Sequence, residues 1–250
     1  MKSGADGARL GGVSAKWQDL EAGVRYAGER WKSSRSALRD PMLIDRILDR
    51  HGVRPSLRPI LDAPCGAGRL RGVLERRRMR YVGVDVSAPM LAQASRGGNA
   101  ALCLAAVERL PFQDDAFDVV VCCRLLHHLH DEDDVRAVVH ELVRVSYRMV
   151  IASFWDSASL HAWRRRVGLR RQEGPQGRHA ISKRTLREVF RSAGAEVTGY
   201  HHSLRFVSQQ AFVVALKKAP VDEEARNVKT LRSRILDVDL AGASGSLGQA

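Results

Sequence analysis

A chain of 250 residues with 44% hydrophobic and 28% charged side chains is long enough to bury a sizeable core and too apolar for a disordered polymer. Charges interrupt every apolar run before it reaches bilayer length, and the first sixteen residues lack the apolar segment of a secretory signal, so a cytoplasmic protein without a transmembrane segment is expected. The net charge of +13 admits nucleic acid, anionic lipid or an acidic small molecule as partner, but arginine far outnumbers lysine, and a coding bias toward arginine explains a global excess equally well.

Residues 1–16 are small and polar and read as a disordered arm, followed by an N-terminal helical cap over 17–56. In the cap, WQDLEAGVRYAGERWKSS forms one helix and a second starts at Pro41, with Leu43, Ile44, Ile47 and Leu48 on its apolar face. A domain over 57–218 then alternates strand and helix. RPILDAPC is a strand ending at a glycine turn, GRLRGVLERRR a helix, YVGVDV a strand, and SAPMLAQAS a helix with Ser87 as N-cap. AALCLAAV and FDVVVCC are strands separated by a polar loop, the stretch after Asp131 is a helix with Val135, Val138, Val139, Leu142 and Val143 on one face, and YRMVIASF is a strand. Repeated βαβ units imply a largely parallel sheet with helices on both faces. After a basic segment and the helix SKRTLREVFRSAGA, the strands EVTGYHHSL and QAFVVALKK are too close for a helical crossover and should pair antiparallel. Residues 219–250 form a C-terminal extension, partly helical and disordered at its end.

The strongest chemical signal is ILDAPCGAGRL. A strand delivers Asp62 to its carboxyl end, and Gly66 and Gly68, without Cβ atoms, let the backbone turn tightly and approach a ligand. Asp85 ends the next strand, seventeen positions after Gly68, where a carboxylate accepts hydrogen bonds from both hydroxyls of a ribose. Turn and acid together indicate an adenosine-containing cofactor. A pyrophosphate site needs G-x-G-x-x-G, and GAGRLRG puts Arg71 at the third glycine, while Asp62 would repel phosphates. A carboxylate suits the α-ammonium of S-adenosylmethionine, so the charge pattern favours that cofactor over a nicotinamide dinucleotide, and a dehydrogenase ranks behind.

From about Pro59 to Ser153 the sequence resembles class I S-adenosylmethionine-dependent methyltransferases of the type 11 or ubiquinone/menaquinone-biosynthesis-like group. LDAPCGAGRL, VGVDVSAPML and ERLPFQDDAFDVVVCCRLLHHLHD carry the likeness. It implies a Rossmann-like seven-stranded sheet of order 3-2-1-4-5-7-6 with strand 7 antiparallel. It also implies that Asp62, Cys65, Gly66 and Gly68 line the methionine moiety and that Asp85 binds the ribose. Val86 and Met90 would lie against the adenine, Val107 and Glu108 at its edge, and Arg124 and Leu125 would close over the cofactor. One departure is Ala106, where many relatives carry an acid that accepts from the adenine amino group.

Cys65 offers a nucleophile in principle, but nothing adjacent activates a thiolate, and Cys103, Cys122 and Cys123 read as packing in or beside buried strands. No cysteine has metal-ligand spacing, and Asp114, Asp115 and Asp118 read as a solvated turn and strand start, so no metal is expected. His127 and His128 are candidates for a general base, against the simpler role of shaping the pocket floor. The basic cluster from Arg164 to Arg187, including Arg178, is either a solvated helix face or a patch for an anionic group on the substrate. Trp155 and Trp163 would wall an apolar acceptor, and Tyr26, Arg30 and Trp31 would form a lid, with core packing as the competing explanation for Tyr26 and Trp31. The expected reaction is methyl transfer to a small-molecule or lipid-like acceptor, by in-line displacement at the sulfonium methyl. An RNA methyltransferase using the basic cluster is the first alternative, and a cofactor-binding scaffold without activity the second.

Overall fold

The computed structural model describes residues 34–129, 131–158, 179–202 and 210–217. The chain divides into two compact units, Met1–Lys217 and Lys218–Ala250, and all described residues belong to the first. The expected N-terminal arm, first helix and C-terminal extension lie outside the described residues.

Helix α1 spans Ser34–Arg50 and runs through Pro41, where the sequence placed its start. Proline lacks the N–H that would bond the carbonyl four residues back, a loss of about 3 kcal/mol in a helix interior. Burial of Ile44, Ile47 and Leu48 against the sheet offsets it, at roughly 1.5–3 kcal/mol for each fully buried side chain.

Seven strands form one sheet: β1 (Ile60–Asp62), β2 (Tyr81–Asp85), β3 (Ala101–Leu104), β4 (Phe117–Cys122), β5 (Ser146–Trp155), β6 (Ala195–His202) and β7 (Gln210–Lys217). Their order is β3-β2-β1-β4-β5-β7-β6, as the resemblance implied. The pairs from β3 across to β5 are parallel, and β7 is antiparallel to both β5 and β6. Central strands are buried on both faces, which is why FDVVVC is uniformly apolar but for Asp118. On one face Val119, Val121, Ile151 and Phe212 pack against α1 and α2 (Arg71–Arg76). On the other, Val120, Val150 and Phe154 meet α4 (Glu132–Val145) and α5 (Lys183–Ser192). Helix α3 (Ala88–Ala94) follows β2.

Three local expectations shift. Strand β3 ends at Leu104, short of the expected Val107, its last rung being the bond from Ala105 N–H to the carbonyl of Asp85 at 3.1 Å. Helix α2 starts three residues late, since Gly68 has a left-handed backbone (φ +77°). Ser87 occupies the N-cap position of α3, but its hydroxyl makes no capping bond and is buried without a hydrogen-bond partner. Among the described residues, no helix is long and apolar enough to cross a membrane.

Candidate active site

The carboxyl ends of β1, β2 and β4 bring the motif residues together. Parallel pairing sets Asp62 beside Gly83 on β2 and Val121 on β4. The chain then turns through Cys65–Gly68: Cys65 N–H donates to Val84 O at 2.8 Å, and Gly68 N–H to Cys65 O at 3.0 Å. Gly66 (φ +54°) and Gly68 are both left-handed, a conformation that costs other residues about 1–2 kcal/mol. A Cβ on Gly68 would lie 3.3 Å from that of Ala94, so this glycine seats the turn on α3. A Cβ on Gly66 would meet nothing within 4 Å: it faces open space.

Asp85 is buried and held at both oxygens. Oδ2 accepts from Gly66 N–H at 2.8 Å, and Oδ1 from Ser87 N–H at 2.9 Å. Burial raises its proton affinity, and the backbone N–H groups of Ser87, Gly66 and Val86 oppose the shift. Each oxygen keeps a second lone pair for a further donor.

Asp62 is more deeply enclosed. Its Oδ2 accepts from Tyr81 Oη at 3.1 Å, while Oδ1 is buried with no hydrogen-bond partner. Burial pushes its carboxyl up to about 7, against the lowering influence of the Tyr81 hydroxyl and the Arg69 charge. A buried carboxylate oxygen without a donor suits a cationic group, and the space at Gly66 gives access to the turn. These residues therefore fit the α-ammonium and ribose of S-adenosylmethionine. Cys65 stays a protonated thiol, because burial and the neighbouring Asp62 and Asp85 push it up.

The remaining predicted residues divide. Val86 is half-buried, and Met90 and Val107 are buried. Ala105 N–H donates to Asp85 O at 3.1 Å, which ties the segment just before Val107 and Glu108 to the end of β2. Arg124 leaves β4 with a left-handed backbone (φ +68°), held by its N–H to Ser153 Oγ at 2.6 Å, and Leu125 packs on the core. The His127 ring lies parallel to Trp155 at 5.1 Å and 4.3 Å from His128. His179 N–H donates to His127 O at 3.0 Å. Tyr26, Arg30, Trp31, Trp163 and Arg178 lie outside the described residues.

In the described part of the basic cluster, Lys183 pairs with Asp156 and Arg184 with Glu188, while Arg187 lies over the Tyr200 ring. Asp114, Asp115 and Asp118 bind Arg144, Lys217 and Arg148 respectively. Among the described residues, no group of three or more His, Cys, Asp or Glu is arranged to hold a metal.

Sequence reasoning missed Tyr81 and a buried group around Asp40. The Asp40 carboxylate, 2% exposed, accepts from Arg69 Nη1 and Arg124 Nε, both at 2.8 Å, and from Gln210 Nε2 at 3.2 Å. Arg69 also donates to Cys123 Sγ at 3.2 Å, and burial pushes that thiol up to about 12. One signal was present: Asp40 is an acid directly before Pro41, where a helical backbone is disfavoured unless something else holds it.

A methyltransferase-domain family model matches residues 61–148. Over 91 residues the chain is 35% identical to a tRNA (carboxymethyluridine(34)-5-O)-methyltransferase of Arabidopsis thaliana, covering 36% of this chain and 22% of that protein. A ubiquinone biosynthesis O-methyltransferase of Aeromonas salmonicida is 26% identical over 152 residues, covering 58% of this chain and 60% of the relative. The chain thus spans less than two thirds of these curated relatives. Among solved structures, a magnesium protoporphyrin IX methyltransferase of Synechocystis with bound S-adenosylhomocysteine matches with TM-score 0.64 at 16% identity, over 82% of this chain and 98% of the other. A Burkholderia thailandensis 1,6-didemethyltoxoflavin-N1-methyltransferase matches with TM-score 0.61 at 18% identity, over 87% and 93%. At these identities the likeness concerns the fold. Residues 61–148 therefore carry a methyltransferase domain, set in a sheet whose strand order is that of the class I S-adenosylmethionine-dependent methyltransferases.

Proposed function

We propose that this protein transfers the methyl group of S-adenosylmethionine to a small-molecule or lipid-like acceptor. The observation that carries the proposal is the pair of carboxylates flanking the glycine turn, Asp62 with a buried oxygen to spare and Asp85 fixed by Gly66 and Ser87. Asp62 would hold the α-ammonium and Asp85 the ribose hydroxyls, while Cys65, Gly66 and Gly68 shape the turn around the methionine portion. Val86 and Met90 would pack on the adenine, Val107 and Glu108 flank its edge, and Arg124 and Leu125 close over the site. When bound, the cofactor supplies an electrophilic methyl group on a sulfonium. The protein contributes alignment and exclusion of water.

The acceptor would lie against the rings of His128, His127 and Trp155 at the ends of β4 and β5. Adjoining rings, His127 stacked on Trp155 and tilted by 38° to His128, favour a flat or apolar molecule. The solved enzymes named for a porphyrin and a toxoflavin precursor, and the ubiquinone-pathway relative, support this class. His127, stacked and tied through its carbonyl, would form the floor, and His128 would take a proton from the acceptor. Tyr26, Arg30, Trp31, Trp163 and Arg178 are proposed as further acceptor contacts.

RNA is the second reading, favoured by the tRNA-modifying relative. That match covers only 36% of this chain, and Lys183, Arg184 and Arg187 in the basic cluster already have partners within α5, Asp156 or Tyr200. The test is calorimetric binding of S-adenosylhomocysteine, followed by labelled-methyl transfer into lipid, small-molecule and RNA fractions. Label in the lipid or small-molecule fraction supports the proposal. Label in RNA transfers the assignment to RNA, and no cofactor binding would leave only a scaffold.

A further inference from the structure

Asp62 presents an anomaly. One oxygen of its carboxylate is buried without a hydrogen-bond partner, although native structures rarely leave such an atom unsatisfied. A guanidinium lies within electrostatic range: Arg69 favours the charged form of Asp62, and Asp62 that of Arg69. Arginine is the usual bidentate partner of a buried carboxylate. Here the guanidinium goes elsewhere. Its Nη1 donates to Asp40 at 2.8 Å and its Nη2 to Cys123 Sγ at 3.2 Å.

Asp40 is built to hold it there. Its carboxylate lies on α1, is almost fully buried, and is fixed from three other segments: Arg69 in the glycine turn, Arg124 after β4 and Gln210 at the start of β7. A carboxylate braced by Arg124 and Gln210 offers Arg69 a preorganised partner on helix α1.

We propose that Asp40 is a positioning residue: it detains the Arg69 guanidinium on helix α1 and so reserves Asp62 for a cationic ligand. The inference rests on the reading of Asp62 as the contact for the cofactor's α-ammonium. Without Asp40, Arg69 turns to Asp62, fills the unsatisfied oxygen and competes with the ammonium for it. Helix α1, outside the family-matched segment 61–148, thereby controls the affinity of the cofactor site.

The test uses the full chain and S-adenosylhomocysteine, which keeps the α-ammonium and lacks the transferable methyl. Calorimetric Kd values are compared for wild type, Asp40→Asn, Arg69→Gln and the double variant, with circular dichroism confirming the fold. Asp40→Asn should weaken binding about tenfold or more, Arg69→Gln should change it by less than about threefold, and the double variant should recover to the level of Arg69→Gln. A purely structural role predicts that Arg69→Gln is as damaging as Asp40→Asn, and that outcome overturns the proposal. If Asp40→Asn does not fold, comparing Arg69→Gln with the double variant suffices: a further tenfold loss would likewise overturn it. Carbon-13 NMR titration of the Asp62 carboxyl in ligand-free protein separates this inference from the cofactor reading. Asp40→Asn should lower the Asp62 midpoint even if the wild type binds no cofactor, and an unchanged midpoint rejects the inference whatever binds.

Discussion

Gly66 N–H donates to Asp85 Oδ2 at 2.8 Å, joining two positions 19 residues apart at the ends of adjacent parallel strands. The bond locks the glycine turn to the proposed ribose carboxylate. Asp85→Ala removes it together with the Ser87 bond, and hydrogen bonds to a charged group contribute about 1.5–3 kcal/mol each. We expect S-adenosylhomocysteine affinity to fall by roughly a hundredfold or more, read by calorimetry. Affinity within a few-fold of wild type would remove Asp85 from the site.

Replacing Gly66 and Gly68 by alanine should have contrasting effects. Both need a left-handed backbone, so each substitution costs about 1–2 kcal/mol of stability. At Gly68 the new methyl also presses on Ala94, and the thermal midpoint should fall further. At Gly66 the methyl enters open space proposed for the cofactor, so binding should be lost with the smaller change in midpoint. Scanning calorimetry beside ligand titration separates the two.

Asp62 sets a pH dependence. Its carboxyl is raised from 3.8 to about 7 by burial, so ionising it disfavours the ligand-free fold. Ligand-free stability from this group is therefore greatest below about pH 4, declines as pH rises to about 7, and is flat above. Binding of a cation requires the ionised form, so affinity should rise toward pH 7 and level off. Near pH 6, calorimetry in buffers of different ionisation enthalpy should show proton release on binding. Absence of proton release there would exclude Asp62 as the cation contact.

Tyr81→Phe removes the hydroxyl that favours the Asp62 charge. The Asp62 midpoint should move higher still, and cofactor affinity should fall more at pH 6.5 than at pH 8. A loss independent of pH would assign Tyr81 a packing role alone.

Gly83→Ala should be strongly destabilising. Its Cβ would lie 2.9 Å from both Leu102 Cδ2 and the Tyr81 hydroxyl and 3.0 Å from Cys65 Sγ. Overpacking of this kind costs about 1–3 kcal/mol, and a thermal melt reads it directly.

The βαβ alternation, the acids at the ends of β1 and β2 and the glycine turn were legible in sequence, because period, strand length and turn chemistry are local. The closeness of QAFVVALK to EVTGYHH likewise forced an antiparallel pair, since no crossover helix fits between them. The order of the strands came from resemblance rather than from local pattern. What tertiary structure alone decided is how side chains from distant segments share charge. Pro41 suggested a helix start, yet burial of Ile44, Ile47 and Leu48 carries α1 through it. Ser87 had the identity of a cap, but in the fold its buried hydroxyl makes no capping bond, and its N–H serves instead to hold the Asp85 carboxylate. Asp40, Arg69, Arg124 and Gln210 have no sequence spacing that announces a cluster. They meet because four segments converge at the carboxyl edge of the sheet, where burial makes each charge seek the partner that packing brings nearest.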